Sequence, residues 1–408
     1  MNILILHRIP YHYIRYAESV DHHKHRVYYV GVQSALDTIP VELNCIKIAR
    51  LGVQAVAQEV LSTVAGLGIQ FDFVISLSEY ELMEAAKVRE ALGVKGPSVA
   101  QVEKVRNKVV MKACVAQHQL AVPAFMSLQQ WADHSEPCFR KQINIILKPV
   151  DGASSENVIR YGSEQELRSA LSNRKTGIAQ LDQPEPNYNG YQVEEFIDGP
   201  ICHFDGLMHA GELQIITAGR YINTLLQYAN GQPCASVQFD LTEQQIQWVK
   251  QVLNAVDIQQ GAFHLEAIMH QGELVFLEVA NRAGGARLIQ TFELQTGIHL
   301  PSAELAFLIS GQNQLKARMD REFKYSWIIF PGHHYGFEYC QVHGSEHLNN
   351  YSGLIEMNLL PPTQKLPTHI SYLESAIPFA ALIKAPSTEL LEQKVLQLFN
   401  TITITAQH

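Results

Sequence analysis

Glu266 and Glu278 are two carboxylates on apolar segments that a short turn at Gly272 joins. If Gln271-Gly272-Glu273 forms a three-residue loop, the two lie opposite each other on one face; a two-residue loop puts them on opposite faces. Opposed carboxylates repel unless a cation or proton sits between them, so the pair reads as a magnesium site. The bland alternative is two solvated glutamates on the outside of a hairpin. Against it stands the continuation, Ala280-Asn281-Arg282-Ala283-Gly284-Gly285. There a guanidinium and open backbone amides can meet a phosphoryl group or a developing oxyanion.

Two lysines on separate segments add phosphate-binding capacity. Lys148 ends a buried strand, where its charge needs an anionic partner such as a phosphate. Lys108 lies on a helical stretch with Lys104, Arg106 and Lys112, and taken alone it reads as part of a solvated face. Glu194-Glu195-Phe196-Ile197 places one glutamate on each face of a strand, so that one can accept from the adenine amine while the backbone pairs with the ring edge. The histidines of His22-His23-Lys24-His25 and of His333-His334 read as solvated turns.

The elements around these residues change character along the chain. Up to about residue 92, strands at Asn2 to Leu6, Arg26 to Val30, Cys45 to Ile48 and Phe73 to Ser76 alternate with helices near Tyr13 to Val20, Val53 to Leu67 and Tyr80 to Leu92. That alternation favours a parallel sheet, with His7-Arg8 and Ser78-Glu79 at the ligand-bearing strand ends. A helix is expected over Val102 to Gln119, a strand over Ile143 to Leu147, and a mobile loop of small residues at Gly152-Ala153-Ser154-Ser155. Hairpins follow, Tyr191 to Ile197 with Ile201 to Leu207, then Ala262 to Met269 with Leu274 to Val279. Beyond Gly311 the strands Tyr325 to Phe330, Leu354 to Leu359 and Ile377 to Ile383, a helix over Thr388 to Phe399 and a strand over Thr401 to Thr405 read as a small α+β unit.

With 408 residues, several packed units are expected, and 31 basic against 40 acidic residues (net charge −9) argue against nucleic-acid or anionic-membrane partners. Six scattered cysteines form no metal or disulfide pattern and read as buried reduced thiols. The apolar run Ile3 to Leu6 is too short for a signal peptide, and no apolar stretch reaches the ~20 residues of a membrane span, so a cytoplasmic protein is expected. No G-x-G-x-x-G follows the first strand, and neither G-x-x-x-x-G-K-[ST] nor G-x-S-x-G is present.

The ordered set Gly96-Pro97-Ser98 with Asn107-Lys108, Lys148-Pro149 with Gly152 to Ser155, Val193 to Gly199, His264-Leu265-Glu266 and Leu277 to Gly285 resembles the ATP-grasp ligases, over roughly Gly93 to Leu308. Among them it is most similar to the bacterial L-amino acid ligases that form dipeptides. The resemblance implies an α/β and α+β multidomain protein with the ATP-grasp fold. Its units are an N-terminal parallel α/β domain (1–95), a central and lid domain (96–190), a nucleotide and metal domain (191–310) and a small α+β subdomain (311–408). ATP and Mg2+ are implied as cofactors. On that resemblance Lys108 and Lys148 would contact phosphates, and the loop with Ser154 and Ser155 would be the lid. Glu194 would take the adenine amine, with Glu195, Phe196 and Ile197 lending backbone, Glu266 and Glu278 would bind magnesium, and Arg282 would face the transferred phosphoryl group.

Two positions depart from the family pattern. Ile201 stands where many relatives carry a ribose-binding acid, with His203 or Asp205 as the substitute, and Ala280 stands where many carry an asparagine. The neighbouring Asn281 should alternate to the other face. The implied reaction is amide formation through an acyl phosphate, catalysed by Arg282 and Lys148, with a carboxylate and an amine as small-molecule substrates and a homodimer left open. The rivals are an ATP-grasp small-molecule kinase and a nucleotide-binding regulatory module without turnover.

Overall fold

Asn2–Leu6, Arg26–Gly31, Ile46–Ala49 and Phe73–Ile75 form a parallel sheet in the order third, second, first, fourth. Ile3 and Ile5 pack into one core and Leu4 and Leu6 into another, so both faces of the sheet are covered, as crossover connections require. The helix expected over Tyr13 to Val20 is instead a short helix, Tyr11–Ile14, and a 3-10 turn, Tyr16–Glu18, parted by Arg15 at φ 53°. The computed structural model describes residues 1–139, 143–311 and 315–407.

The helix expected to run unbroken over Val102 to Gln119 is two, Val99–Arg106 and Lys108–Gln117. Asn107 leaves the helical region (φ −91°, ψ 107°), and its side chain accepts from the amides of Val109 and Val110, capping the second helix. Lys108 is thereby the first residue of a helix, and its amide donates to the Val150 carbonyl.

A second, antiparallel sheet has the order Phe125–Ser127, Tyr191–Glu195, Ile145–Pro149, Ile159–Tyr161. Tyr191–Glu195 therefore makes no hairpin with Ile201–His209, contrary to expectation. Its backbone is already paired on both sides, and the chain crosses at Phe196 to Pro200 into a different sheet. Gly199 is required in that crossing, because a Cβ there would come within 2.3 Å of the Met269 carbonyl oxygen.

The third sheet has eight antiparallel strands, in the order Glu273–Ala280, Gly261–His270, Ile201–His209, Glu212–Ile222, Cys234–Phe239, Lys324–Phe330, Phe379–Ala385, Leu354–Leu359. Three strands after residue 311 thus extend the same sheet that carries Glu266 and Glu278, while Cys340–His343 and Thr403–Ala406 pair with each other in a separate two-stranded sheet. Phe204, Phe263, Leu265, Phe276, Val252 and Leu253 form the core beneath the first of these strands. Thr388–Thr401 packs Leu391, Val395 and Leu398 under the later ones. Among the described residues no helix is long and apolar enough to cross a membrane.

Candidate active site

Glu266 does face Glu278, by a route the turn length alone does not reveal. His270 pairs with Glu273, so the loop is the two-residue one, Gln271-Gly272, both at positive φ (51° and 89°) as a type I′ turn requires. Continued regularly, that register would set Leu277 opposite Glu266. A bulge skips Leu277 and restores Glu278 to the position opposite Glu266. The Tyr221 hydroxyl donates to Glu266 (2.7 Å), and His264 Nε2 lies 3.2 Å from the same oxygen.

The lysines and their counter-charges converge on this pair. Lys108 Nζ is 3.4 Å from Glu278 and donates to the Gly152 carbonyl at 2.6 Å, which ties the loop at Gly152 to Glu278. Lys148 and Lys112 grip Glu194 at 2.5 and 3.0 Å. Burial pulls the Lys148 ammonium down, and Glu194 with Glu278 and Glu266 outweighs it, so its pKa rises. For Lys112 burial wins over Glu194, and its pKa falls to about 8. Burial raises Glu278, but Lys108, Lys148 and Lys112 hold it down at about 2. Lys112, with Arg106, belongs to the site rather than to a solvated face; Lys104 alone reaches outward, to Asp257 at 3.5 Å. The four-residue spacing of Lys108 and Lys112, which puts both on one face of the second helix, was the signal available for Lys112.

Arg282 is held from the N-terminal sheet. Its Nε donates to Glu79 at 2.6 Å, and the other oxygen of Glu79 pairs with Arg106. Of the strand-end residues singled out in the N-terminal unit, Glu79 reaches the site and Arg8 lines the cavity, whereas His7 is buried in hydrogen bonds to Tyr16 and Ala35. A cavity of about 990 Å³ runs from Arg8, Glu79 and Tyr80 past Lys108, Gly152 to Ser154, Glu266, Glu278 and Arg282 to Tyr372 and Glu374.

Of the remaining expected residues Ser154 lines this cavity, whereas Ser155, Glu195, Phe196, Ile197 and His203 lie outside its lining. Ser154 and Ser155 sit at φ 62° and 56°, and the Tyr372 hydroxyl donates to the Ser154 carbonyl at 3.2 Å. The amides of Glu195 and Phe196 are committed to Ala124 and Asn144, and Arg160 lies over the Phe196 ring, while Ile197 sits in the crossing between sheets. His203 is on the strand beside Glu266, with Nδ1 2.6 Å from Asp205 and Nε2 2.5 Å from Ser236. Asp205 also holds His264 at 2.7 Å; burial lowers the His264 pKa, and Asp205 with Glu266 overrides it, leaving it at about 10. Asn281 bonds the carbonyls of Gln260 and Ala262, turned from the carboxylate pair as its alternation requires.

In each histidine cluster one member departs from the expected solvated turn, while His23 and His334 are exposed as expected. His22 is buried, within 2.7 Å of the Val20 carbonyl and 2.9 Å of the Tyr29 hydroxyl, because the turn folds back on its own strand. His333 lines the cavity, bonded to the Ala229 carbonyl. The six cysteines are unpaired, as expected, though only Cys202, Cys234 and Cys340 are buried.

Facing carboxylates are the hard oxygen donors that magnesium takes, and lysines paired for now with glutamates suit the oxygens of a polyphosphate. Comparison with known proteins agrees with this chemistry. Residues 141–290 match the ATP-grasp domain family, so the chain carries an ATP-grasp domain, and the architecture around it is the ATP-grasp fold. In sequence the chain is similar to an L-arginine-specific L-amino acid ligase of Bacillus subtilis, 25% identical over 239 residues. The match takes in 58% of this chain and spans 57% of that relative's length. In structure it is similar to an L-amino acid ligase from Bacillus licheniformis (TM-score 0.73, 20% identity, 100% of this chain and 98% of the other). It is also similar to N5-carboxyaminoimidazole ribonucleotide synthetase from Thermotoga maritima (TM-score 0.65, 14% identity, 100% and 99%).

Proposed function

We infer that this protein is an ATP-dependent carboxylate–amine ligase that joins two amino acids through an acyl phosphate. The observation that carries the reading is the facing pair Glu266 and Glu278 beside Arg282 in one cavity, closed on one side by the small-residue loop at Gly152 to Ser155. Similarity to L-amino acid ligases supports the choice of substrates.

Glu266 and Glu278 would hold magnesium, which neutralises phosphate charge when bound. Lys148 and Lys108 bind the nucleotide phosphates, and Glu194 keeps Lys148 charged and in place. A substrate carboxylate oxygen bonds to the γ-phosphorus as the bond to the bridging oxygen breaks, with its electron pair leaving on ADP. Arg282, oriented by Glu79, stabilises the transferring group. The amine nitrogen then bonds to the acyl carbon, phosphate departs with the C–O electron pair, and the proton shed by nitrogen passes to it. A lid closed over Ser154 and Ser155 keeps water from the acyl phosphate meanwhile.

Mass spectrometry of reactions containing pairs of amino acids, ATP and magnesium tests this. A new amide formed in step with ADP is expected, and Glu278→Gln should abolish it while leaving the fold intact. A phosphorylated product that persists across a panel of amines would make the protein a kinase.

A further inference from the structure

Arg287 follows Arg282 by five residues, across the turn Gly284-Gly285-Ala286, and it is a buried charge that the reaction above does not use. Its side chain is 2% exposed and lines the same cavity. Nη2 faces two carboxylates, Glu356 at 2.7 Å and Glu374 at 3.0 Å, while Nε and Nη1 have no hydrogen-bond partner. Glu374 Oε2 is likewise buried without an aligned hydrogen bond, and it too lines the cavity, next to Tyr13 and Tyr372. Glu356 is not part of the cavity wall; its side chain is 45% exposed and neutralises the arginine from outside. Bare charged donors and acceptors in a buried wall are costly, so this corner is built for an occupant that supplies the missing partners. A guanidinium and a carboxylate 3.0 Å apart, each with unused capacity, match a small molecule carrying both signs on neighbouring atoms.

We propose that Arg287 and Glu374 form the subsite for the amine substrate and select an α-amino acid over a simple amine. The carboxylate accepts from a free N–H of Arg287, and Glu374 receives the amino group. This rests on the ligase reading and names the class of its second substrate. Arg282, Arg287 and Glu374 line one cavity, so an amine bound at the subsite shares that cavity with the arginine assigned to the transferring group. A carboxylate that accepts from a buried guanidinium is a charge-assisted pair.

Binding and turnover separate this subsite from the reading it rests on. Calorimetry with L-alanine, L-alaninamide and N-acetyl-L-alanine as probes should give wild-type affinity for alanine about tenfold to a hundredfold above either analogue. Arg287→Gln should collapse the alanine-to-alaninamide ratio towards one, and Glu374→Gln should collapse the alanine-to-N-acetylalanine ratio, each without changing ADP affinity. Arg287→Lys, which keeps the charge, should restore part of the first ratio. Equal binding of alanine and alaninamide to the unmodified protein overturns the subsite, even if amide synthesis is observed. Absence of ADP formation with every acid and amine pair, while the binding ratios hold, overturns the ligase reading and leaves the amino-acid subsite standing.

Discussion

Lys148 illustrates how a buried charge is kept ready for a ligand. Glu194 holds it charged in the absence of phosphate, and a nucleotide adds further partners to a cation whose desolvation is already offset. Lys148→Ala is therefore expected to weaken ADP binding by about 2 to 3 kcal/mol, the worth of a charge-assisted bond. Lys104→Ala, on a half-buried pair with Asp257, should cost about 1 kcal/mol or less. Titration calorimetry of the two variants distinguishes them, and equal losses would remove Lys148 from the phosphate site. Glu304 makes the opposite case. Burial raises its pKa to about 7 from the usual 4.5, so the unfolded chain sheds its proton first. Stability therefore falls as pH rises from about 4.5 to about 7 and stays reduced above that. Glu304→Gln should stabilise the protein by about 3 kcal/mol at pH 8 and by nothing at pH 4 in denaturant unfolding. At this scale the sequence was legible where a residue type demanded a partner, as for Lys148 and Arg282. It was silent on Tyr221 and Arg287, whose roles depend on which strands and loops approach them.

Elements were legible where periodicity was strong and failed where a single side chain overrode it. The strands Asn2–Leu6 and Leu354–Leu359 have the expected ends, and the metal-type hairpin stands where expected. The apolar spacing on both sides of Asn107 continues a helix, yet its side chain caps a new one, and this break sets the start of the helix that carries Lys108 and Lys112. Asn107→Ala should cost about 1 kcal/mol and Asn107→Asp a few tenths. Denaturant titration that finds both variants equal to the parent would mean the break is held by tertiary contacts alone. The facing of Glu266 and Glu278 was reached in sequence through a three-residue loop. The protein achieves it with a two-residue loop and a bulge, which a count of residues between carboxylates cannot distinguish. The false hairpin at Asp198 to Pro200 has a related cause: a turn motif reports a change of direction, not which sheet the next strand joins.

For the whole molecule, the cavity is walled by all parts of the chain. The parallel sheet contributes Glu79, the antiparallel lid sheet ends at the Gly152 loop, and the segment after residue 311 contributes Tyr372, whose hydroxyl meets the lid at Ser154. Tyr372→Phe removes that tie, worth about 1 kcal/mol, and should raise ATP hydrolysis in the absence of an amine about fivefold. An unchanged rate of phosphate release without amine would show that the tie does not help to keep water out.

The eight-stranded sheet has a practical consequence for anyone who would shorten the chain. A cut near residue 310 would strip Lys324–Phe330 from Cys234–Phe239, whose Cys234, Ala235 and Val237 side chains are wholly buried. The remaining fragment would present a long apolar edge with unpaired backbone, which invites another copy to add its own strand. Such a fragment should come out of expression as aggregate, although it retains Glu266, Glu278, Lys108 and Lys148.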